Sequence, residues 1–320
     1  MGDPAGIGPE VIAKAWVARD ERGLPPFAMI GDPRAVGTVW NGPIERIESL
    51  DEVGAVFGSA LPVLAIEAAA EVTPGAPGIN GARDALVALE AAVRLVRSGA
   101  ARALVTGPVS KAQMYAVGFT FPGQTEFVAD RCGVPAGDAV MMLAGPTLRV
   151  VPITGHVPFA DVPRLLTKAL VVAKGRATAR GLMRDFGIAA PRIAVAGLNP
   201  HAGESGAIGR EEIDAIAPAI AELRADGIDA RGPFAADTLF HPRARAGYDA
   251  VLCPTHDQAL IPLKTIHFDE GVNITLGLPI VRTSPDHGTA FDIAGKDLAD
   301  PGATIAAIAM AHAAATRRAA

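Results

Sequence analysis

The sequence is short of the residues that mark several classes of protein. Its 320 residues contain two cysteines, Cys132 and Cys253, with no CxxC pair, which argues against a disulfide framework or a cysteine-built zinc site. The formal net charge is -5 and no run of lysine and arginine occurs, so nucleic acid is not expected as a partner. No apolar run reaches the length of about 18 residues that a membrane helix needs, and no signal-peptide pattern opens the chain. We therefore expect no membrane span and a cytoplasmic location.

Two nucleotide-binding signatures are also missing. The loop in GDPAGIGPE, around Gly6 and Gly8, lacks the third glycine of GxGxxG and a preceding strand. A structural turn and a ligand loop explain it equally well. The turn in TGPVSKA, at Thr106, fails the spacing of a Walker A loop, although its backbone N–H groups and Lys111 would suit an anion. A hydrophobic strand normally precedes the first of these loops, so we expect that the natural start lies upstream or that the chain is clipped.

What is present is the composition of an α/β protein. Half of the residues are hydrophobic, a fifth are charged, and aromatic residues make up 5%. Short apolar strands alternate with helical stretches from end to end, which predicts a two-lobed α/β fold with parallel sheets. The predicted strands lie at 27–31, 61–66, 139–144, 148–153, 192–198 and 250–253, and the predicted helices at 82–97, 162–186, 211–226 and 303–315.

Three histidines share one sequence context. His156, His201 and His256 each follow an apolar strand by a few residues, and they are too far apart along the chain for a local zinc finger. Successive βα units would bring them to one end of a sheet, where three imidazoles with an open position form a common catalytic metal site. Asp257 could orient His256. The alternative is that each histidine is a hydrogen-bonded structural residue.

The stretch from Tyr248 to Gly295 concentrates further polar chemistry. Lys264, Asn273 and Arg282 follow His256, and Arg282 could hold a carboxylate or a phosphate in a bidentate fork. The small-residue segment around His287 could lie against a flat ligand. Surface lysines and arginines are usually solvated, so a binding role for these residues is supported only by the motifs around them.

Together the motifs resemble a known family. They are GDPAGIGPE, TGPVSKA, GQTEF, GLNPHAGE with GAIGREE, ADTLF, HDQALIPLKT and GVNITLGLPIVRTSPDHGTAFDIAG. They cover nearly the whole chain, which is identified as a member of the 4-hydroxythreonine-4-phosphate dehydrogenase family of vitamin B6 biosynthesis. GIGPE and HGTAFDIAG also resemble loops of the isopropylmalate and isocitrate dehydrogenases. The resemblance implies a two-lobed fold like that of isopropylmalate dehydrogenase, with lobes at 1–125 plus 283–320 and at 126–282. The active site would lie in the interlobe cleft at a homodimer interface.

The resemblance also implies roles for individual residues. A divalent metal (Zn²⁺, Co²⁺, Mn²⁺ or Mg²⁺) would be bound by His156, His201 and His256, with His256 contributed by the neighbouring subunit. The substrate would be contacted by Gln124, Thr125, Lys264, Asn273 and Arg282. Lys264 is the candidate for proton transfer, and Asp237 also lies in the implied catalytic site. The site for NAD, or alternatively NADP, would be lined by His287, Gly288, Thr289 and Asp292.

The implied reaction is the oxidation of 4-phosphooxy-L-threonine at its C3 hydroxyl, followed by decarboxylation to 3-amino-2-oxopropyl phosphate. One alternative keeps the fold and the metal but acts on a 4-phosphothreonate-type acid or an aromatic cis-dihydrodiol. A metal-dependent phosphatase is a second alternative, and a catalytically inactive binding protein is a third. The chain departs from the family at Gln124, where a histidine is common. A glutamine can donate a hydrogen bond but cannot titrate, so Gln124 is not expected to act as an acid or base.

Overall fold

The computed structural model describes residues 1–68 and 71–320. The helices are α1 (Gly8–Val17), α2 (Pro33–Gly37), α3 (Val53–Val56), α4 (Ile79–Arg97), α5 (Lys111–Ala116), α6 (Gln124–Arg131), α7 (Val162–Leu165), α8 (Lys168–Phe186), α9 (Ala217–Ala225), α10 (Pro242–Arg245), α11 (His256–Ile266) and α12 (Gly302–Ala319). The strands are β1 (Met29–Gly31), β2 (Ile44–Ile47), β3 (Leu61–Ala65), β4 (Ala103–Val105), β5 (Val140–Ala144), β6 (Arg149–Pro152), β7 (Arg192–Ala196), β8 (Asp229–Phe234), β9 (Ala250–Cys253), β10 (Val272–Leu276) and β11 (Val281–Pro285).

The chain divides into two compact units. Unit 1 comprises Met1–Gly133 and Pro279–Ala315, and unit 2 comprises Val134–Leu278 and Thr316–Ala320. Both mix helices with strands, and both contain parallel strand pairs, so the predicted α/β class is confirmed. The likeness to isopropylmalate dehydrogenase and the placement of the site at a dimer interface stay predictions.

Unit 1 contains a small parallel sheet and a separate parallel strand pair. The sheet has the order β1-β3-β2, and β4 pairs with β11. Helix α4 buries one face because its small and apolar residues recur every three or four positions. The buried residues of that face include Ala82, Ala85, Leu89, Val93 and Val96. A second buried cluster lies beneath α1 and includes Trp16, Met29, Val36, Leu61 and Val63.

Unit 2 is built on strands in the order β10-β5-β6-β9-β7-β8. The pairs β10–β5 and β5–β6 are antiparallel, whereas β6–β9, β9–β7 and β7–β8 are parallel. Strand β9 is buried at every position, which explains why it reads as a continuous apolar run. The parallel half of unit 2 is the part that positions the candidate site.

The single helix predicted over 162–186 is wrong. Helix α7 ends at Leu165 and α8 begins at Lys168, because Thr167 adopts an extended backbone and caps the new helix. The Thr167 hydroxyl accepts a hydrogen bond from the Leu170 N–H at 3.2 Å. Helix α8 ends at Phe186, and the capping residue Gly187 has a left-handed φ of 70°. Among the helices in the described ranges, none is long and apolar enough to cross a bilayer.

Candidate active site

Four neighbouring strands of unit 2, β6, β9, β7 and β8, run parallel. Residues that follow parallel strands emerge at the same edge of a sheet. His156 follows β6, His256 follows β9, His201 follows β7 and Asp237 follows β8. The strand order therefore places the three predicted metal ligands and the predicted catalytic aspartate at one edge of unit 2.

His156 and His256 lie next to each other. Their ring centroids are 5.0 Å apart, with an angle of 47° between the planes. His256 is the first residue of α11, and a reciprocal capping box between Thr255 and Gln258 fixes the start of that helix. The His256 Nδ1 lies 2.8 Å from the Asp257 carboxylate, so Nε2 is the ring nitrogen that remains to bind a metal.

His201 opens a left-handed turn. The backbone φ angles of His201–Ser205 are 52°, 53°, 79°, 45° and 57°. A residue other than glycine costs about 1 kcal/mol or more in this region, so surrounding contacts must hold such a run in place. The His201 Nδ1 lies 2.6 Å from Glu204 Oε1. This hydrogen bond raises the pKa of His201, and the negative charges of Glu204 and Asp237 raise it further.

The histidines do not form a complete metal site in one chain. Within residues 1–68 and 71–320, no group of three or more His, Cys, Asp or Glu side chains is arranged to hold a metal ion. The structure brings His156 and His256 together without closing the set with His201. Because the family resemblance assigns His256 to a neighbouring subunit, the single chain does not test the predicted ligand set.

Asp237 lines a groove of unit 2. It lies in the one-turn 3₁₀ helix Ala236–Thr238, and Asp257 contributes a second carboxylate to the groove. The rest of the lining is largely apolar and includes Phe159, Leu198, Phe240, Ile261 and Ile266. A groove with apolar walls and a few carboxylates is a common form of ligand site.

Lys264 and Asn273, two predicted substrate contacts, also belong to unit 2. Lys264 lies on α11, the helix that begins at His256. Asn273 lies on β10 opposite Leu143 of β5. The Asn273 side-chain oxygen is buried and has no hydrogen-bond partner in the described part of the chain. A buried oxygen left in this state is costly, so a polar ligand would be stabilised there.

Arg282 is the central side chain of the predicted site residues in unit 1. It lies on β11 and is 3% exposed. Its guanidinium donates hydrogen bonds to the Thr106 hydroxyl at 2.8 Å and to the Thr125 hydroxyl at 3.2 Å. Burial lowers the pKa of Arg282 to about 10, while the charge of Glu126 acts in the opposite direction. Arg282 therefore remains a buried cation at neutral pH.

Gln124 and Thr125 begin α6 beside this arginine. The Gln124 amide donates a hydrogen bond to the Gly107 carbonyl at 3.0 Å. Helix α6 is thus joined to the TGPVSKA turn through Gln124 and to β11 through Thr125. The structure brings three predicted substrate residues of unit 1 together, namely Gln124, Thr125 and Arg282.

The predicted cofactor segment packs against the first loop of the chain. The Ile7 N–H donates a hydrogen bond to the Thr289 carbonyl at 3.0 Å. Gly6 is required at this contact, because a Cβ there would lie 2.8 Å from the same carbonyl. The His287 Nε2 is buried and has no partner within the described ranges. A Cβ placed on Gly288 would meet nothing within 4 Å, so space is open beside it.

Three residues near the site were missed by the sequence analysis. Thr106 holds Arg282, although its TGP motif read as a turn or an anion loop. Asn199 and Glu212 contact each other beside His201, although GLNPHAGE and GREE were both visible in the sequence. The motifs gave the signal, but the contact partners could be identified only from the fold.

Comparison with known proteins identifies the general class to which this chain belongs. The curated relatives are dehydrogenases, and so is this chain. Residues 26–311 match the family described as pyridoxal phosphate biosynthetic protein PdxA. The chain belongs to this family, which confirms the predicted resemblance.

Individual relatives cover nearly the whole chain. The 4-hydroxythreonine-4-phosphate dehydrogenase of Zymomonas mobilis is 60% identical over 97% of this chain and 93% of its own length. The enzyme of the same name from Erythrobacter litoralis is 56% identical over 100% of this chain and 96% of its own. The crystal structure of 4-hydroxythreonine-4-phosphate dehydrogenase from Klebsiella pneumoniae has a TM-score of 0.84 and 33% identity, covering 98% of this chain and 96% of that one. A terephthalate 1,2-cis-dihydrodiol dehydrogenase from Burkholderia xenovorans has a TM-score of 0.66 and 31% identity, covering 97% and 95% of the two chains.

Proposed function

We propose that this chain oxidises 4-phosphooxy-L-threonine at its C3 hydroxyl with NAD⁺, in a reaction that needs a divalent metal and ends in decarboxylation. The product would be 3-amino-2-oxopropyl phosphate, an intermediate of pyridoxal phosphate biosynthesis. The observation that carries the proposal is the delivery of His156, His256, His201 and Asp237 to one edge of four parallel strands. The names of relatives that are 60% and 56% identical support the choice of substrate.

The donor set of unit 2 fits a divalent metal. Imidazole nitrogens are common metal ligands, and ligating histidines usually have the other ring nitrogen held by a carboxylate or carbonyl. His256 has this arrangement with Asp257, and His201 has it with Glu204. His156, His201 and His256 would hold the ion. Imidazoles suit Zn²⁺, and water and substrate oxygens would make Co²⁺, Mn²⁺ or Mg²⁺ acceptable.

The 287–292 segment of unit 1 fits a nicotinamide cofactor. His287 presents a buried nitrogen that lacks a partner in the described residues, and Gly288 leaves open space beside it. We propose that His287, Gly288, Thr289 and Asp292 line the NAD site. When bound, a divalent cation would supply positive charge beside the substrate hydroxyl, and a nicotinamide cofactor would supply a hydride acceptor.

The protein's own residues would bind the substrate and move protons. Arg282 presents a buried guanidinium to an anionic group, held in place by the Thr125 hydroxyl. Gln124 offers an amide but cannot titrate, so it binds and does not exchange protons. Asn273 supplies the buried oxygen that needs a donor. Lys264 and Asp237 are proposed to transfer protons.

A homodimer with shared active sites is part of the proposal. Unit 2 exposes large apolar side chains, with Phe159 at 76%, Ile261 at 63% and Phe268 at 75% exposure. Phe159 and Ile261 line the same groove as Asp237. An exposed apolar surface beside a site is typical of a protein interface, and a second copy of this chain would cover it. The cytoplasmic location stays a prediction.

The test is an assay of the purified protein with 4-phosphooxy-L-threonine, NAD⁺ or NADP⁺, and a panel of divalent metals. We expect reduced cofactor to form only when metal is present, together with CO₂ in equal amount. Release of inorganic phosphate without NAD⁺ would identify the metal-dependent phosphatase instead. No turnover of any candidate by a metal-loaded protein would support an inactive binding protein.

A second candidate function is the oxidation of a cis-dihydrodiol. The likeness to the terephthalate dihydrodiol dehydrogenase, with a TM-score of 0.66, favours this candidate over the phosphatase and the inactive binding protein. An unsubstituted diol ring would offer Arg282 no anionic group, whereas a diol ring that carries a carboxylate would. Kinetics with 4-phosphooxy-L-threonine, 4-phosphothreonate and a cis-dihydrodiol would separate the candidates. Faster turnover of either of the last two would overturn the proposed substrate.

A further inference from the structure

The left-handed turn at His201–Ser205 has an anchor outside itself. Only one of its five residues is glycine, so the local sequence does not favour the conformation. Glu212, which opens the π-helical turn Glu212–Ile216, lies next to it and is 3% exposed. Turns of the π type recur at functional sites.

Asn199 connects the Glu212 carboxylate to the turn. The Asn199 backbone N–H donates a hydrogen bond to Glu212 Oε1 at 2.8 Å, and the Asn199 side-chain amide donates to Glu212 Oε2 at 2.9 Å. The same amide also donates to Glu211 Oε2 at 2.7 Å. At the other end, the Asn199 carbonyl accepts from the Ala202 N–H at 3.1 Å, inside the turn. Both ends of Asn199 are therefore fixed.

Glycines make this packing possible. A Cβ on Gly203, which has φ of +79°, would lie 2.6 Å from Glu212 Oε2. A Cβ on Gly209 would lie 2.4 Å from the Asn199 side-chain nitrogen. Gly203 and Gly209 are thus required because their backbones approach the Asn199–Glu212 pair closely.

We propose that Asn199 and Glu212 are positioning residues that hold the turn left-handed and thereby fix the His201 imidazole for a divalent metal before the metal binds. The inference rests on the proposed function, because His201 is a ligand only there. The buried carboxylate acts through Asn199 and does not contact the metal. Since the turn is preformed, its residues need not be ordered when the ion arrives.

The test compares Glu212→Gln with Asp214→Asn. Both variants exchange a carboxylate for an amide in the same turn, but Asp214 is exposed and pairs with Arg210. In the metal-free protein, we expect the 199–208 segment of Glu212→Gln to exchange its amide hydrogens about tenfold faster than the unmodified protein, with no change for Asp214→Asn. Titration with Co²⁺ alone should give a Kd about 10- to 100-fold higher for Glu212→Gln, as for other residues that orient a ligand.

A second variant reaches the anchor from the opposite side. Gly203→Ala places a methyl group against the Glu212 carboxylate, so it should reproduce both effects and covers the case in which Glu212→Gln does not fold. Unchanged exchange in both variants, or faster exchange with an unchanged Co²⁺ affinity, would overturn the positioning role. Normal Co²⁺ binding by His201→Ala would instead overturn the ligand set of the proposed function, and the exchange result would then concern the turn alone.

Discussion

The two units hold their candidate binding side chains in opposite ways. In unit 1, Arg282 is 3% exposed and donates hydrogen bonds to the hydroxyls of Thr106 and Thr125. In unit 2, His201 is exposed and a carboxylate, that of Glu204, lies at its Nδ1. Burial lowers the pKa of Arg282 to about 10, whereas the hydrogen bond with Glu204 raises the pKa of His201.

The two environments suit Arg282 and His201 to different ligands. A buried guanidinium can be stabilised by an incoming anion, such as a phosphate or carboxylate. An imidazole whose other nitrogen is held by a carboxylate is more basic and gains from an incoming metal ion. Unit 1 is therefore suited to the anionic part of a substrate, and unit 2 to a metal. Mutations can test the two halves of this comparison separately.

The largest effect is expected from His201→Ala. Loss of an imidazole ligand should raise the Kd for Co²⁺ by more than about 100-fold, above the range seen for residues that only orient a ligand, and should abolish turnover. Calorimetric titration and metal analysis after dialysis would measure it. His312→Ala, at an exposed position on α12 of unit 1, is the matched control and should bind as the unmodified protein does. If His201→Ala retains the metal, His201 is not one of the metal ligands of unit 2.

The next effect is expected from Arg282→Met. Removal of a charge-assisted hydrogen bond of about 1.5–3 kcal/mol should raise KM for the phosphorylated substrate about 10- to 150-fold. Metal affinity should not change, because the proposed metal ligands belong to unit 2 and Arg282 belongs to unit 1. Steady-state kinetics and Co²⁺ titration on the same preparation would measure both. Arg22→Met removes an arginine that is 61% exposed and serves as the control. An unchanged KM for Arg282→Met would show that Arg282 does not bind the anion.

Sequence reasoning reached the histidines because apolar strands ending in polar loops are visible in a linear pattern. His156, His201 and His256 were predicted in this way, Asp237 was predicted from its motif, and their roles stay predictions. The strand order β6-β9-β7-β8 brings these residues to the same edge of the sheet. This order depends on pairing between distant segments and could not be predicted. The family resemblance, which rests on whole motifs, was confirmed by the comparisons.

Other features were missed for physical reasons. The break between α7 and α8 had a local signal in Thr167, but the apolar periodicity on both sides concealed it. The left-handed turn at His201–Ser205 had almost none, since it packs against Glu212, a residue of a different element. The hydrogen bond from Arg282 to Thr106 likewise joins residues that lie far apart in the sequence.

A smaller effect is expected from Thr106→Val, which tests the hydrogen bond between Arg282 and Thr106 in unit 1. The substitution keeps the shape but leaves a buried guanidinium donor without its acceptor at 2.8 Å. The free energy of unfolding should fall by about 1.5–3 kcal/mol, measured by urea denaturation. Thr106→Ser should restore it, because the hydroxyl returns. Thr125→Val, which removes the weaker 3.2 Å contact of a half-buried residue, should cost less. Equal stability of Thr106→Val and the unmodified protein would show that the hydroxyl does not hold Arg282.

The smallest effect is expected from Glu204→Gln, which tests the contact between Glu204 and His201 in unit 2. In the metal-free protein, Glu204 raises the pKa of His201 by accepting its hydrogen bond and by its charge. The pKa of His201 in Glu204→Gln should therefore be lower, so that the imidazole loses its proton at a lower pH. Titration of the imidazole signals by nuclear magnetic resonance would measure this shift. His267 provides an internal reference in the same spectra, because burial lowers its pKa and Glu204 plays no part in that shift. If His201 titrates at the same pH in both proteins, the carboxylate does not control its basicity, and the contrast with the hydroxyl-held Arg282 fails at His201.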